Sequence, residues 1–370
     1  MTLQTTALQF GYLLAWLFSI LLIIRGVRNE RLSDKLLAFV MFLLAQEIQD
    51  YTFGFAGINF LWEDLNGFPR YTELLLGPAT YFYIQSQINQ KFRFMPPHAR
   101  HLIPWATYFI IYLLIFVQGK HAVQNFQTTH FSIVLDWVLH IAVILSYSYY
   151  FYLSLKIYHK FRQWVETQFA DTEKVNFVWF RNFIYIMIVG QVFKWIWLGL
   201  DTLMSLNFSE EWWWNLALVF IICYVGIQGY AQVQPNTLIF RDSEEKNGKS
   251  FEFKEHELLG WKNKLLKLME EDKIYLDPEL SLSRLAMILK TNTTLLSALI
   301  NSQFNKNFND FINEYRINEY QKRIKMPNNQ HLSNFGVALD SGFNSKATFN
   351  RAFKKLNGVS PKEFTVENKT

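Results

Sequence analysis

Cysteine is nearly absent from this chain: Cys223 is the only one in 370 residues. An intramolecular disulfide and a cysteine-rich zinc site are therefore excluded. Four histidines, His98, His101, His121 and His130, lie in loops, but no nearby carboxylate or cysteine completes a ligand set, so no metal is expected. The sequence has no glycine-rich phosphate loop, nucleophile elbow, or kinase or phosphodiesterase signature. It also lacks the parallel sheet with clustered aspartates of a receiver domain. Neither enzyme chemistry nor a cofactor is expected. No cleavable leader is expected either: the first apolar run, Leu8 to Ile24, has no basic start and no small-residue cleavage site, and reads as a retained span. Neither sign of charge dominates, with a net of +5.

What the chain has is apolar and aromatic residues, unevenly spread. Hydrophobic residues make up 51% and aromatics 18%, most of them before about residue 233. Crossing a bilayer as a helix takes about 20 mostly apolar residues. Seven runs approach that length, at roughly 8–25, 34–56, 72–90, 101–118, 131–155, 181–204 and 212–233. The third holds Gly77-Pro78, and the fourth begins near Pro104.

Charge orients these runs. The first, third and fifth loops carry Arg25, Arg28, Arg31 and Lys35, then Lys91, Arg93 and Arg100, then Lys156, Lys160, Arg162, Lys174 and Arg181. The even loops offer only Arg70 and Lys120, and the sixth has Glu210 and Glu211. Positive residues mark the cytoplasmic side. The expected topology is a multi-pass protein of the cytoplasmic membrane, with its N-terminus outside and its C-terminus inside.

Ionisable residues within lipid are costly and usually face a bundle interior. Here they are Glu47, Asp50, Asp136, His140, Lys194 and Asp201, all toward the outer half of spans two, five and six. Glu47 and Asp50 are three apart and Asp136 and His140 four apart, so each pair shares a helix face. They are candidates for an outward-facing ligand pocket ringed by Trp62, Trp137, Trp195 and Trp197. The alternative is a set of structural ion pairs, Lys194 with Glu47 or Asp50.

Beyond residue 233 the chain turns polar. The stretch 234–257 contains Gln234-Pro235-Asn236 and Asp242-Ser243-Glu244-Glu245-Lys246 and reads as a linker. Leu258, Trp261, Leu265, Leu268 and Met269 then follow helical spacing. They mark a packing helix or, alternatively, a dimerising one, so a homodimer stays open. Ser281 caps a helix to about Leu289, and a second runs from Thr293 to about Phe304, ended by Asn305. A long helix covers Phe308 to Lys325, up to Pro327. Ser333 opens another to Leu339, Gly342 turns the chain, Asn344 caps a helix over Ser345 to Leu356, and Gly358 ends it. Ser360-Pro361 starts a last short helix.

Two helix-turn-helix units joined by one long helix result. The segment from about 258 to 366 resembles the DNA-binding domain of the AraC/XylS family of bacterial transcription regulators. The resemblance rests on Leu282, Leu285, Ala286, Leu296, Phe304, Phe308, Arg316, Ile317, Val337-Ala338, Gly342-Phe343, Phe349, Phe353-Lys354, Gly358 and Ser360-Pro361. By architecture, the whole chain resembles membrane-embedded members of that family. The resemblance implies two reader helices in successive major grooves. The second presents Ser345, Lys346, Asn350, Arg351, Lys354 and Lys355. Lys354 and Lys355 are expected on phosphates, with Lys346, Asn350 and Arg351 nearer the bases. The first reader has Thr293, Thr294, Ser297 and Asn301 but no cation, which departs from the family's usual arginines.

The expected fold is all-α: a seven-helix transmembrane bundle (1–233), a linker (234–257) and an AraC-type double helix-turn-helix domain (258–370). The expected function is that of a membrane-embedded one-component transcription regulator. Its partners would be double-stranded DNA, the lipid bilayer and an unidentified small-molecule or membrane-protein signal. The alternative is a transporter or partner-docking membrane protein with a regulatory DNA-binding tail.

Overall fold

The computed structural model describes residues 3–89, 91–170, 178–232, 255–329 and 331–367. The described residues are helical, with no named strand and one isolated antiparallel bridge, Phe169 to Ser281. The α-helices are α1 (Leu3–Arg28), α2 (Leu32–Phe55), α3 (Phe60–Glu63), α4 (Glu73–Ile88), α5 (Ile103–Phe116), α6 (Lys120–Gln127), α7 (His130–Gln168), α8 (Val178–Met204), α9 (Trp212–Ala231), α10 (Glu255–Glu270), α11 (Leu282–Ile288), α12 (Thr293–Phe304), α13 (Phe308–Arg323), α14 (Asn334–Asp340), α15 (Lys346–Asn357) and α16 (Pro361–Glu367). They form two compact units. The first is Met1–Tyr158 with Phe177–Arg241, and the second is His159–Asn176 with Asp242–Thr370.

Six helical stretches, all in the first unit but for the end of the fourth, are long and apolar enough to cross a membrane: 5–28, 32–55, 96–116, 130–168, 178–204 and 212–231. The third expected span, 72–90, is the exception. Its helix α4 has 16 residues and contains Pro78. At 1.5 Å per residue it is about 24 Å long, short of the hydrocarbon thickness of roughly 30 Å. Most of α4 is buried, including Thr80, Ser86 and Gln87. A helix hidden inside a bundle needs no continuous apolar surface, and it is length that sets α4 apart from the six.

The unit is built around α2, which packs on α1, α4 and α9. Leu37, Val40, Met41, Leu44 and Ile48 of α2 are fully or almost fully buried. By contrast, α1 exposes Phe10, Leu13, Leu17, Ile20, Ile24 and Val27 along one face. So large an apolar face is foreign to a water-soluble surface and suits lipid. Small residues let helices approach closely. A Cβ on Gly11 of α1 would lie 2.6 Å from Val219 of α9. At one end of the unit Arg25 joins three helices. It pairs with Asp34 at 2.7 Å, donates to the carbonyls of Gly229 and Tyr230, and lies 4.8 Å over the Tyr230 ring.

In the second unit, the helix starts follow their caps. Ser281, Asn292, Asn307, Ser333 and Ser345 each accept a backbone N–H from the first turn of the helix they precede. Asn305 and Gly358 end α12 and α15 in the left-handed conformation. Two cores result. One gathers Leu265, Met269, Leu282, Leu285, Leu296, Ile300, Phe308 and Phe311; the other Ile317, Tyr320, Val337, Phe343, Phe349 and Phe353. The helix α13 contributes to both.

Among the described residues the boundaries differ most from expectation at α7. The helix α7 was expected to end near residue 155, yet it runs for 39 residues to Gln168. Its residues from His159 onward belong to the second unit. Ala170 is fully buried in the first of the two cores. The expected linker 234–257 lies outside the described residues up to 254, and 255–257 open α10.

Candidate functional site

The expected second reader corresponds to α15. Its sequence alternates in the helical period, and the structure buries Thr348, Phe349, Ala352 and Phe353 against α13 and α14. The opposite face exposes Lys346, Asn350, Arg351, Lys354 and Lys355. Ser345 is placed otherwise. It is nearly buried, and its hydroxyl accepts Thr348 N–H at 3.2 Å, so it caps α15 where Asn344 was expected to. The Asn344 amide instead donates to the Pro278 carbonyl at 3.3 Å.

The turn before α15 is fixed by contact. Gly342 has φ +92°, and a Cβ there would sit 2.5 Å from the Tyr275 carbonyl oxygen. That same oxygen accepts Arg316 Nε–H at 2.8 Å, while Arg316 Nη2 donates to the Asp277 carbonyl at 2.7 Å. Arg316 is fully buried and lies 5.8 Å from the Phe343 ring. It ties α13 to the 274–277 turn and to the turn that aims α15.

The first reader, α12, carries no Lys or Arg. Thr294, Asn301 and Ser302 are exposed, while Thr293 and Ser297 are half-buried. Lys355 of α15 forms an ion pair with Asp310 of α13 at 2.6 Å. A cleft of about 250 Å³ lies beside Arg351 and Lys355 and is also lined by Asn309, Asp310, Asn313 and Glu166.

Glu166 belongs to the α7 tail, which is built into this unit. Asn309 Nδ2 donates to the Phe169 and Ala170 carbonyls at 3.0 and 2.7 Å, and Asn313 Nδ2 to the Ala170 carbonyl at 3.1 Å. Sequence reasoning missed this segment. Its faint signal was the continuation of apolar residues, Phe161 and Val165, past the expected end of span five.

In the first unit, the six candidate pocket residues separate into two cavities. Glu47, Asp50, Lys194 and Asp201 line one of about 390 Å³. Asp136 and His140 line another of about 220 Å³. Tyr71 and Glu73 line both, so the chain entering α4 stands between the two groups. In the larger cavity Lys194 bridges Glu47 at 2.5 Å and Glu73 at 3.0 Å. Asp50 pairs with Arg70, at 3.0 Å, rather than with Lys194. Asp201 accepts Leu206 N–H at 3.0 Å, and Glu211 accepts the Tyr51 hydroxyl. Of the four expected tryptophans only Trp62 and Trp197 line it, joined by Trp214. Trp137 is 63% exposed on the outside. In the smaller cavity Tyr112 donates to Asp136 at 2.7 Å, and His140 Nδ1 donates to the Asp136 carbonyl, also at 2.7 Å.

Residues 285–366 match a family model described as "Helix-turn-helix domain". This agrees with the AraC-type double helix-turn-helix read from the sequence, and it makes the C-terminal part a DNA-binding, transcription-regulating domain rather than a member of an enzyme family. No curated protein and no solved structure matches the chain significantly.

Proposed function

We propose that this chain is a membrane-embedded one-component transcription regulator of the AraC type. One observation carries the reading. A single chain joins helices long and apolar enough to cross a membrane to a helix-turn-helix domain whose second reader exposes Lys346, Asn350, Arg351 and Lys354. The first unit is the sensor, and the second binds double-stranded DNA. Arg351 and Asn350 read base edges in the major groove, and Lys354 contacts phosphate. Thr294 and Asn301 of α12 give weaker, uncharged contacts.

The loop charges support a cytoplasmic C-terminus. That topology counts α4 as a crossing, and its burial and polar residues support an interior span. The signal is received at the cavities holding Glu47, Asp50, Lys194 and Asp201, and Asp136 and His140. It reaches the DNA-binding unit by two covalent routes, the segment 234–257 and the tail of α7. A shift between two states of the sensor alters the freedom or pairing of the readers.

A reporter fused after residue 250 tests the topology. Cytoplasmic activity is expected, and activity on the outer side contradicts the reading.

A further inference from the structure

We infer that the larger cavity of the first unit binds a small organic ammonium ion, an inference that rests on the sensor reading above. Five carboxylates, of Glu47, Asp50, Glu73, Asp201 and Glu211, face two cations, Arg70 and Lys194. The single charge of Lys194 is shared between Glu47 and Glu73, and Arg70 is taken up by Asp50. Asp201 and Glu211 have only a backbone N–H and a tyrosine hydroxyl as partners and no cation among the described residues. Uncompensated carboxylates are costly near lipid, and a bound cation relieves them.

The walls set the kind of cation. No three acidic or histidine side chains among the described residues converge closely enough to hold a metal ion. The carboxylates are instead spread around a space of about 390 Å³, the size of a small-molecule site. Aromatic rings stand between them, and two already meet positive charge. Arg70 lies 6.0 Å from the Trp62 ring, and Lys194 lies 5.9 Å from the Trp214 ring. Ring faces with dispersed carboxylates favour a cation that carries its charge on a bulky, weakly hydrated group. An amine or quaternary ammonium has that character, whether free or on a lipid headgroup.

The test uses the full chain in phosphatidylglycerol nanodiscs, which contain no ammonium, and follows its thermal unfolding. Choline, tetramethylammonium and phenethylammonium are titrated against 3,3-dimethyl-1-butanol, the uncharged analogue of choline, and against acetate. At least one ammonium is expected to raise Tm saturably while the neutral analogue and acetate do not. Asp201→Asn and Glu211→Gln, made singly and together, should each raise the ammonium concentration needed for half the shift about tenfold, as expected for loss of one close charge contact, with a cooperative transition at an undiminished ammonium-free Tm as proof of folding. Nanodiscs containing phosphatidylethanolamine separate the two sources. A higher starting Tm with a blunted choline response assigns the site to the headgroup; an unchanged response assigns it to a free cation. The inference is overturned if no ammonium shifts Tm, if the neutral analogue matches choline, or if the double variant responds like wild type. DNA capture by the same preparation reports on the regulator reading separately, so the two can fail independently.

Discussion

Asn313 on α13 donates its side-chain amide to the carbonyl of Ala170, a residue that follows the 39-residue helix α7. The bond is 3.1 Å long and buried, and Asn309 one turn earlier donates to the same oxygen. The first helix-turn-helix core is thus completed by a segment that precedes it by more than a hundred residues.

Removing that contact should loosen the DNA-binding unit. Asn313→Ala takes away one donor to a buried carbonyl, and Asn309 still covers the oxygen, so the expected loss is about 1 kcal/mol. Ala170→Glu places a charge in an apolar core and should cost several times as much. Hydrogen exchange of α11 to α13 in the full chain reads both. Equal protection in wild type and Ala170→Glu would refute the placement of this segment.

The turn that aims α15 should tolerate no side chain. Gly342→Ala adds a Cβ 2.5 Å from the Tyr275 carbonyl at a φ of +92°. The strained backbone alone costs about 1–3 kcal/mol, and displacement of the Arg316 hydrogen bonds adds to it. Arg316→Met should lower stability by a similar amount. Unfolding midpoints of the second unit check both, and a neutral Gly342→Ala would mean that the turn is placed wrongly.

DNA affinity should depend on α15 far more than on α12. Arg351→Ala is expected to abolish specific binding, whereas Asn301→Ala weakens it by less than about 1 kcal/mol, since it removes an uncharged contact. With α12 free of cations and Lys355 engaged by Asp310, few charges remain for phosphate. The slope of log K against log salt should be no steeper than about −4 per protomer. A gel-shift series over salt measures it, and a slope near −8 would require phosphate contacts that this surface does not provide.

Acid should destabilise the second unit through Glu319. Burial acts to raise this carboxyl, but the Arg323 hydrogen bond and the Lys273 charge outweigh it, and the group is held below its usual value of 4.5. The folded state therefore favours the charged form. The stabilisation is present above pH 4.5 and is lost as pH falls through the folded value. Glu319→Gln should flatten the fall in stability on acidification. An unchanged acid limb in the variant would remove Glu319 from the account.

Local signals made much of the second unit legible in sequence. Ser281, Ser333, Asn305 and Gly358 mark helix ends because a cap or a left-handed residue acts within one turn. The exposed basic face of α15 was legible because helical spacing separates Phe349 and Phe353 from Arg351 and Lys354. What escaped is tertiary. Nothing local announces that Ala170 packs with Leu282 and Phe311, or that Lys194 reaches Glu73 as well as Glu47. Arg70 was counted only as loop charge, although an isolated cation near acidic span residues is a pairing signal. The division of the pocket in two follows from the chain leading into α4, whose position no periodicity encodes.

The most direct test of a membrane regulator that reads DNA is genome-wide capture by the intact protein from its own membrane fraction. Enrichment of a small set of fragments sharing a sequence element, abolished by Arg351→Ala, is predicted. Failure to enrich any fragment above the Arg351→Ala background, with the protein folded and inserted, would contradict it.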